Sequence, residues 1–228
     1  MGTATRAVDG APPARLLDSE EVLREGVAAL VACDPVMARI VAQGAVPPLR
    51  KRPPGYEGLA AIIVAQQLST ASAGAIWARL KQALPILDAE TLAAADDPTL
   101  RAAGLSAPKI RTLRAVAEAV AAGSLPLGAL HALPADEAHR LMVAVRGIGP
   151  WTADVYLLFC LGHPDAFPAG DLALQEAARL ADGLAARPSA AALAARAEPW
   201  RPWRGVAAKV LWAYYRVAKA RDAAPVQP

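Results

Sequence analysis

The sequence predicts an all-α protein, and three observations carry that expectation. Alanine supplies much of a hydrophobic content of 55%, while aromatic residues amount to only 5%. Such a composition favours helices over sheets, which draw on β-branched and aromatic side chains. Proline and glycine punctuate stretches with helical patterning, and no segment alternates as a strand would. With 228 residues the chain is long enough to bury one large core or two small ones. Charges are spread along its length, so no uncharged apolar run approaches the roughly 20 residues that span a bilayer. A membrane protein is excluded on that ground, and the composition excludes disorder except at the ends.

The elements follow in order. Ser19 with Glu20 and Glu21 opens a helix expected to reach about Ala32, and Pro35 starts a second that ends near Gly44. The stretch 45–54, rich in proline and basic residues, reads as a surface crossover. Helices are expected over 56–68 and 71–84, with short ones over 91–95 and 98–103. Others cover 107–122, stopped by Gly123, and 134–145. Next comes Arg146-Gly147-Ile148-Gly149-Pro150. Two glycines flanking one isoleucine allow a turn through positive φ, and Pro150 pre-sets a helix over 151–161. The unit is a helix, a hairpin and a helix. A loop over 162–170 leads to Asp171, and helices over 172–181, 188–197 and 204–220 complete the chain. Residues 1–17 and 223–228 read as disordered ends around one domain, 18–222. The N-terminus lacks the apolar segment of a secretory signal, so a cytoplasmic location is expected.

Twenty-four basic and 21 acidic residues give a net charge of +3. That balance permits a polyanionic partner without demanding one. Two stretches are basic and free of acids: 101–114, with Arg101, Lys109, Arg111 and Arg114, and 200–221, with Arg201, Arg204, Lys209, Arg216, Lys219 and Arg221. On charge alone both read as solvated helix faces. Cys33 and Cys160 are too few for a four-cysteine metal site and read as buried free thiols. His131, His139 and His163 show no metal-ligand spacing and read as surface or loop residues. No cofactor is expected.

Backbone amides at the hairpin, where a helix begins, can hold a phosphate without reading any base, although a lone Gly-x-Gly is also an ordinary turn. Nine of the 11 aromatic residues lie beyond Pro150. That clustering reads either as a π-lined pocket or as a locally aromatic core. Asp171 follows Gly170 and precedes a helix, so it reads as an N-cap whose carboxylate the helix dipole favours.

The run 141–174, LMVAVRGIGPWTADVYLLFCLGHPDAFPAGDLAL, resembles the helix-hairpin-helix plus Gly/Pro-Asp signature of DNA base-excision glycosylases. It is most similar to the AlkA-type 3-methyladenine DNA glycosylases II, and 61–80, 104–123 and 200–212 agree in the family's order. The resemblance covers about 20–220. It implies two helical subdomains with a DNA-binding cleft between them, and a partner that is double-stranded DNA containing damaged bases. It also implies that Asp171 is the catalytic carboxylate, stabilising the oxocarbenium-like sugar as the base leaves. By the same resemblance Trp151 and Trp212 line the base pocket, where cation-π attraction to a desolvated cationic base contributes about 2 kcal/mol. Gln67 is then the wedge that fills the emptied stack, since a stacked base cannot reach the carboxylate. Its plain structural reading is a polar residue ending a helix. Gly147, Gly149 and Thr152 are the implied contacts to the DNA backbone, and the carbonyls of Val143, Val145 and Ile148 the implied ligands of a monovalent cation.

Departures from the pattern refine the expectation. Bifunctional relatives carry a lysine directly after the hairpin, where this chain has Trp151, so water is the expected nucleophile and no strand cleavage should follow. The cysteine count removes the iron-sulfur subgroup. The length suggests a compact form without the N-terminal β-rich domain of some relatives, acting as a monomer in the nucleoid. Val155 and Ala213 are small where some members place tyrosine. Asp154 reads as an exposed helix-face residue and Asp165 as a loop acid, both assigned to structure or to support of the site rather than to catalysis, with Arg204 paired to one of them or to a phosphate. Excision of deaminated or etheno bases, and a non-catalytic module that binds damaged DNA, are the alternatives.

Overall fold

A computed structural model describes residues 15–222. Among them are twelve α-helices and no strand. The helices are α1 (Glu20–Cys33), α2 (Pro35–Ala42), α3 (Gly55–Ala65), α4 (Thr70–Ala83), α5 (Ala89–Ala94) and α6 (Asp97–Ala102). After them come α7 (Ala107–Ala121), α8 (Ala135–Val143), α9 (Pro150–Phe159), α10 (Leu172–Asp182), α11 (Ala190–Ala197) and α12 (Arg204–Asp222). The expected cap of α1 is in place, with Ser19 Oγ accepting the Val22 N–H. Asp34, which the sequence reading did not single out, caps α2: its Oδ1 accepts the N–H groups of Val36 and Met37. Each side chain satisfies donors that the first helical turn leaves without partners. Single 3-10 turns at Leu130–Ala132 and Glu198–Trp200 were not expected from the sequence.

Two groups of helices pack side by side. In one, α3 is central: Leu59, Ile62 and Ile63 are fully buried, and α3 touches α4, α7 and α9, while α8 packs on α9. In the other, α12 packs against α10, α1 and α2. The loop between α9 and α10 crosses from one group to the other. Its anchors are main-chain bonds from Leu17 N–H to Gly162 O and from Gly205 N–H to Pro164 O, both 2.7 Å.

Several expectations need correction. The opening residues 1–14 and the tail 223–228 lie outside the described residues. Leu17, expected in a disordered opening, is 1% exposed and bonded to Gly162, and Arg15 pairs with Glu25. The folded part therefore includes residues before 18. Helix α3 ends at Ala65 rather than 68, because Gln66 turns extended (ψ 131°) and Gln67 then takes a left-handed conformation (φ 56°). Cys33 is exposed, since its apolar run is the outer edge of α1, whereas Cys160 is buried. His163 is buried in the crossing loop, and its ring nitrogen meets Leu133 O. The stretch 200–221 is only partly a solvated face: Arg201, Arg216 and Lys219 are exposed, whereas Trp200, Arg204 and Lys209 are buried.

Candidate active site

Asp171 sits at the N-cap of α10, on the junction between the two helical groups. Its Oδ1 accepts the Leu174 N–H at 2.9 Å, which is the cap bond that the sequence pattern predicts. Two further donors come from outside α10. Trp151 Nε1 donates to Oδ2 at 2.8 Å, and Trp212 Nε1 donates to Oδ1 at 3.1 Å. One indole is at the start of α9, the other on α12, so both helical groups grip the same carboxylate. Three donors to two oxygens fix its orientation, and charge-assisted bonds of this kind are the stronger ones. The three residues singled out for catalysis and the base pocket thus meet at one point. All are half-buried, open enough to be reached.

The loop leading to Asp171 is held from behind. Asp165 receives Arg204 Nε and Nη2, each at 2.9 Å, and Arg201 Nη1 at 2.6 Å. The expected pairing of Arg204 is therefore with Asp165, and Asp136 and Glu198 also bond it. Asp154 was expected on an exposed face, yet it is 9% exposed and meets His139 Nδ1 at 2.8 Å. Burial pushes the Asp154 carboxyl up, while the hydrogen bond to Asp154 raises His139. Neither pair touches Asp171.

At the hairpin only Gly147 uses positive φ (92°); Gly149, at −87°, is an ordinary N-cap. A Cβ on Gly147 would collide with Thr112 Oγ1 of α7, whereas one on Gly149 would meet nothing within 4 Å. No side chain caps α9, so the amides of Trp151 and Thr152 remain open to an anion. The Thr152 side chain points elsewhere: it is buried, and its Oγ1 accepts Gln66 Nε2 at 2.7 Å. Only its main-chain N–H is left for an anion. At the end of α8, Val145 O accepts the Ile148 N–H at 3.1 Å, while Val143 O and Ile148 O meet no amide among the described residues. Carbonyls at a helix C-terminus carry partial negative charge, so this set fits a hard cation that takes oxygen ligands.

Gln67 is exposed on the loop after α3, in the one non-glycine left-handed conformation among the described residues. Leu68 beside it is also exposed. Sequence reasoning missed what holds this loop: Lys109 Nζ of α7 donates to Val64 O at 2.6 Å and Gln66 O at 3.0 Å. It also missed Phe159, which lies 5.6 Å from Trp212 between ring centroids, and Lys209, whose Nζ is 4.3 Å from the Phe159 centroid. A lysine inside the apolar run VAAKVLW was the available signal. The expectation of an aromatic pocket and that of an aromatic core each describe part of the set. Trp151 and Trp212 are at the site, while Tyr156 and Trp200 are buried packing residues. Among the described residues no three metal-ligating side chains gather, and no helix is long and apolar enough to cross a membrane.

The scaffold and the site define a helix-hairpin-helix protein built around a single carboxylate. Residues 60–202 match the HhH-GPD superfamily of base excision DNA repair proteins. The chain belongs to that family. It is 31% identical over 184 residues to the DNA-3-methyladenine glycosylase 1 of Schizosaccharomyces pombe, covering 79% of each chain. It is 32% identical over 208 residues to a probable bifunctional transcriptional activator/DNA repair enzyme AlkA of Mycobacterium tuberculosis. That match covers 87% of this chain and 41% of the relative. Among solved structures it is similar to a DNA-3-methyladenine glycosidase of Bacillus halodurans, with a TM-score of 0.76, 32% identity and coverage of 88% and 91%. The S. pombe Mag1 complex with abasic DNA matches with a TM-score of 0.71 and 28% identity, covering 90% of this chain and 100% of that one.

Proposed function

We propose that this protein is a monofunctional DNA glycosylase that extrudes alkylated purines, such as 3-methyladenine and 7-methylguanine, and releases them by hydrolysis. The observation that carries the reading is the convergence of two indole N–H groups on Asp171. A purely structural cap would need only the Leu174 amide. An alkylated purine in DNA bears positive charge and leaves without a strong general acid. Its departure builds positive charge on the sugar, and a fixed carboxylate beneath that centre stabilises it. Water then completes the hydrolysis, since position 151 offers an indole and no amine.

The remaining residues grip DNA. The amides of Gly147, Gly149 and Thr152 hold backbone phosphate, and Gln67 on its exposed loop fills the gap left by the extruded base. A monovalent cation on the Val143, Val145 and Ile148 carbonyls would supply positive charge against that phosphate. The names of the relatives support the choice of alkylated bases. The test is Asp171→Asn, assayed for release of 7-methylguanine and 3-methyladenine alongside DNA affinity. Excision should fall at least a hundredfold, the order seen when an electrostatic group is removed from a transition state, with affinity largely kept. Full excision by the variant overturns the assignment, and a borohydride-trapped covalent adduct with DNA overturns the monofunctional claim.

A further inference from the structure

A recess of about 230 Å³ opens beside the site, lined by Arg50, Phe159, Lys209, Trp212, Tyr215 and Arg216 together with two prolines. This is below the ~300–1,000 Å³ of pockets for drug-sized ligands and suits one base. Trp212 joins it to the carboxylate, with the indole nitrogen on Asp171 and the ring in the recess. Asp171 and Trp151 do not line the recess, so a base with its glycosidic nitrogen at Asp171 would reach this space along Trp212, the residue that the carboxylate and the recess share.

The lining is unusual for a cationic ligand. It holds three cationic side chains and no carboxylate. Lys209 is 5% exposed, and its one hydrogen bond among the described residues is a 3.3 Å bond to Arg50 O. An ammonium has three donors, and leaving donors unmet in a buried site is unfavourable. Burial pushes Lys209 down to about 8, with Arg50 acting in the same direction and Glu20 against it. It remains mainly charged at neutral pH. Lys209 also covers a face of Phe159, so that ring is already engaged by a cation of the protein itself.

We propose that Lys209 reads the far edge of the extruded base. The recess then takes purines with a carbonyl oxygen at C6 in preference to those with an amino group there. This rests on the glycosylase reading and adds to it a selection among alkylated purines. The O6 of a guanine-type lesion accepts from the ammonium; the amino group of an adenine-type lesion sets donor against donor. Lys209 is thus a specificity-determining residue on the chain that also supplies Trp212.

The test uses one DNA sample treated with a methylating agent, so that 7-methylguanine and 3-methyladenine are released and counted in a single reaction. In Lys209→Met the ratio of 7-methylguanine to 3-methyladenine release should fall about tenfold against the unmodified protein, as expected for one charge-assisted hydrogen bond. An unchanged ratio, whether both rates fall or neither does, overturns the proposal. Release of neither base by the unmodified protein overturns the glycosylase reading itself, which distinguishes the two failures. Should the variant fail to fold, the unmodified protein decides alone. Free 7-methylguanine should quench tryptophan fluorescence at about tenfold lower concentration than free 7-methyladenine, and equal affinities overturn the proposal.

Discussion

Replacing Trp151 by phenylalanine keeps an aromatic ring at the start of α9 and deletes the one donor to Asp171 Oδ2, at 2.8 Å. Oδ1 keeps both of its donors, Leu174 N–H at 2.9 Å and Trp212 Nε1 at 3.1 Å. The carboxylate therefore stays at the helix cap but is no longer fixed from both sides. A hydrogen bond to a charged group contributes about 1.5–3 kcal/mol. At 1.36 kcal/mol per decade, full expression in the transition state lowers the rate roughly tenfold to a hundredfold. The assay is single-turnover base release from a duplex with one 7-methylguanine, with enzyme in excess so that the rate reports chemistry. Trp212→Phe is the control: it keeps a ring in the recess and Oδ1 retains the Leu174 donor, so its rate should fall less. An unchanged rate in Trp151→Phe, or equal falls in rate for the two variants, would refute the view that indole donors orient the carboxylate.

Three other perturbations test the scaffold. Gly147→Ala should destabilise the fold by about 1–3 kcal/mol, since φ is 92° and Thr112 occupies the Cβ position. Gly149→Ala has open space around it and loses only the preference for glycine at an N-cap, so it should cost clearly less stability than Gly147→Ala while weakening DNA binding; equal losses of stability in the two variants would contradict this division. Arg204→Met leaves the buried Asp165 with Arg201 as its remaining partner and should cost about 1–3 kcal/mol in urea denaturation, so no measurable loss would dismiss the pair as a structural support. His139 is raised by its hydrogen bond to Asp154, so the folded state holds a proton that the unfolded chain releases. Its stabilisation is complete below the ordinary imidazole value and is lost as pH rises through the raised one. Burial lowers His163, which acts in the opposite sense over the same window, so the check is the difference between two proteins: across neutral pH the unmodified protein should lose stability relative to His139→Gln, and a relative gain has the wrong sign.

Most of the fold was legible because local signals were strong. Ser19 and Asp171 cap the helices they precede, and Pro35 and Pro150 stand at first helical positions. The family resemblance singled out Asp171, Trp151 and Trp212, which the fold brings into contact. What stayed hidden depends on packing between distant segments. Lys209 lies in a basic stretch that charge arithmetic assigns to solvent, and only the approach of Phe159 and the Arg50 carbonyl encloses it. Asp154 is buried because α8 brings His139 over it, a pairing across 15 residues that no spacing rule announces. Likewise nothing in the Gln66-Gln67 dipeptide shows that the chain turns left-handed there, because Lys109, more than forty residues away, bonds the carbonyls on either side of Ala65.

Helix α7 carries two attachments within one turn. Lys109 secures the loop that presents Gln67, and Thr112 lies against Gly147 of the hairpin. The two points proposed to meet DNA are therefore mounted like the jaws of a fixed gauge on one rigid rod. A duplex that engages both must conform to their spacing, so any adjustment falls on the nucleic acid. Stretches already weakened by a damaged base yield most easily. The protein would thus sort its targets partly by stiffness, before any base reaches Asp171.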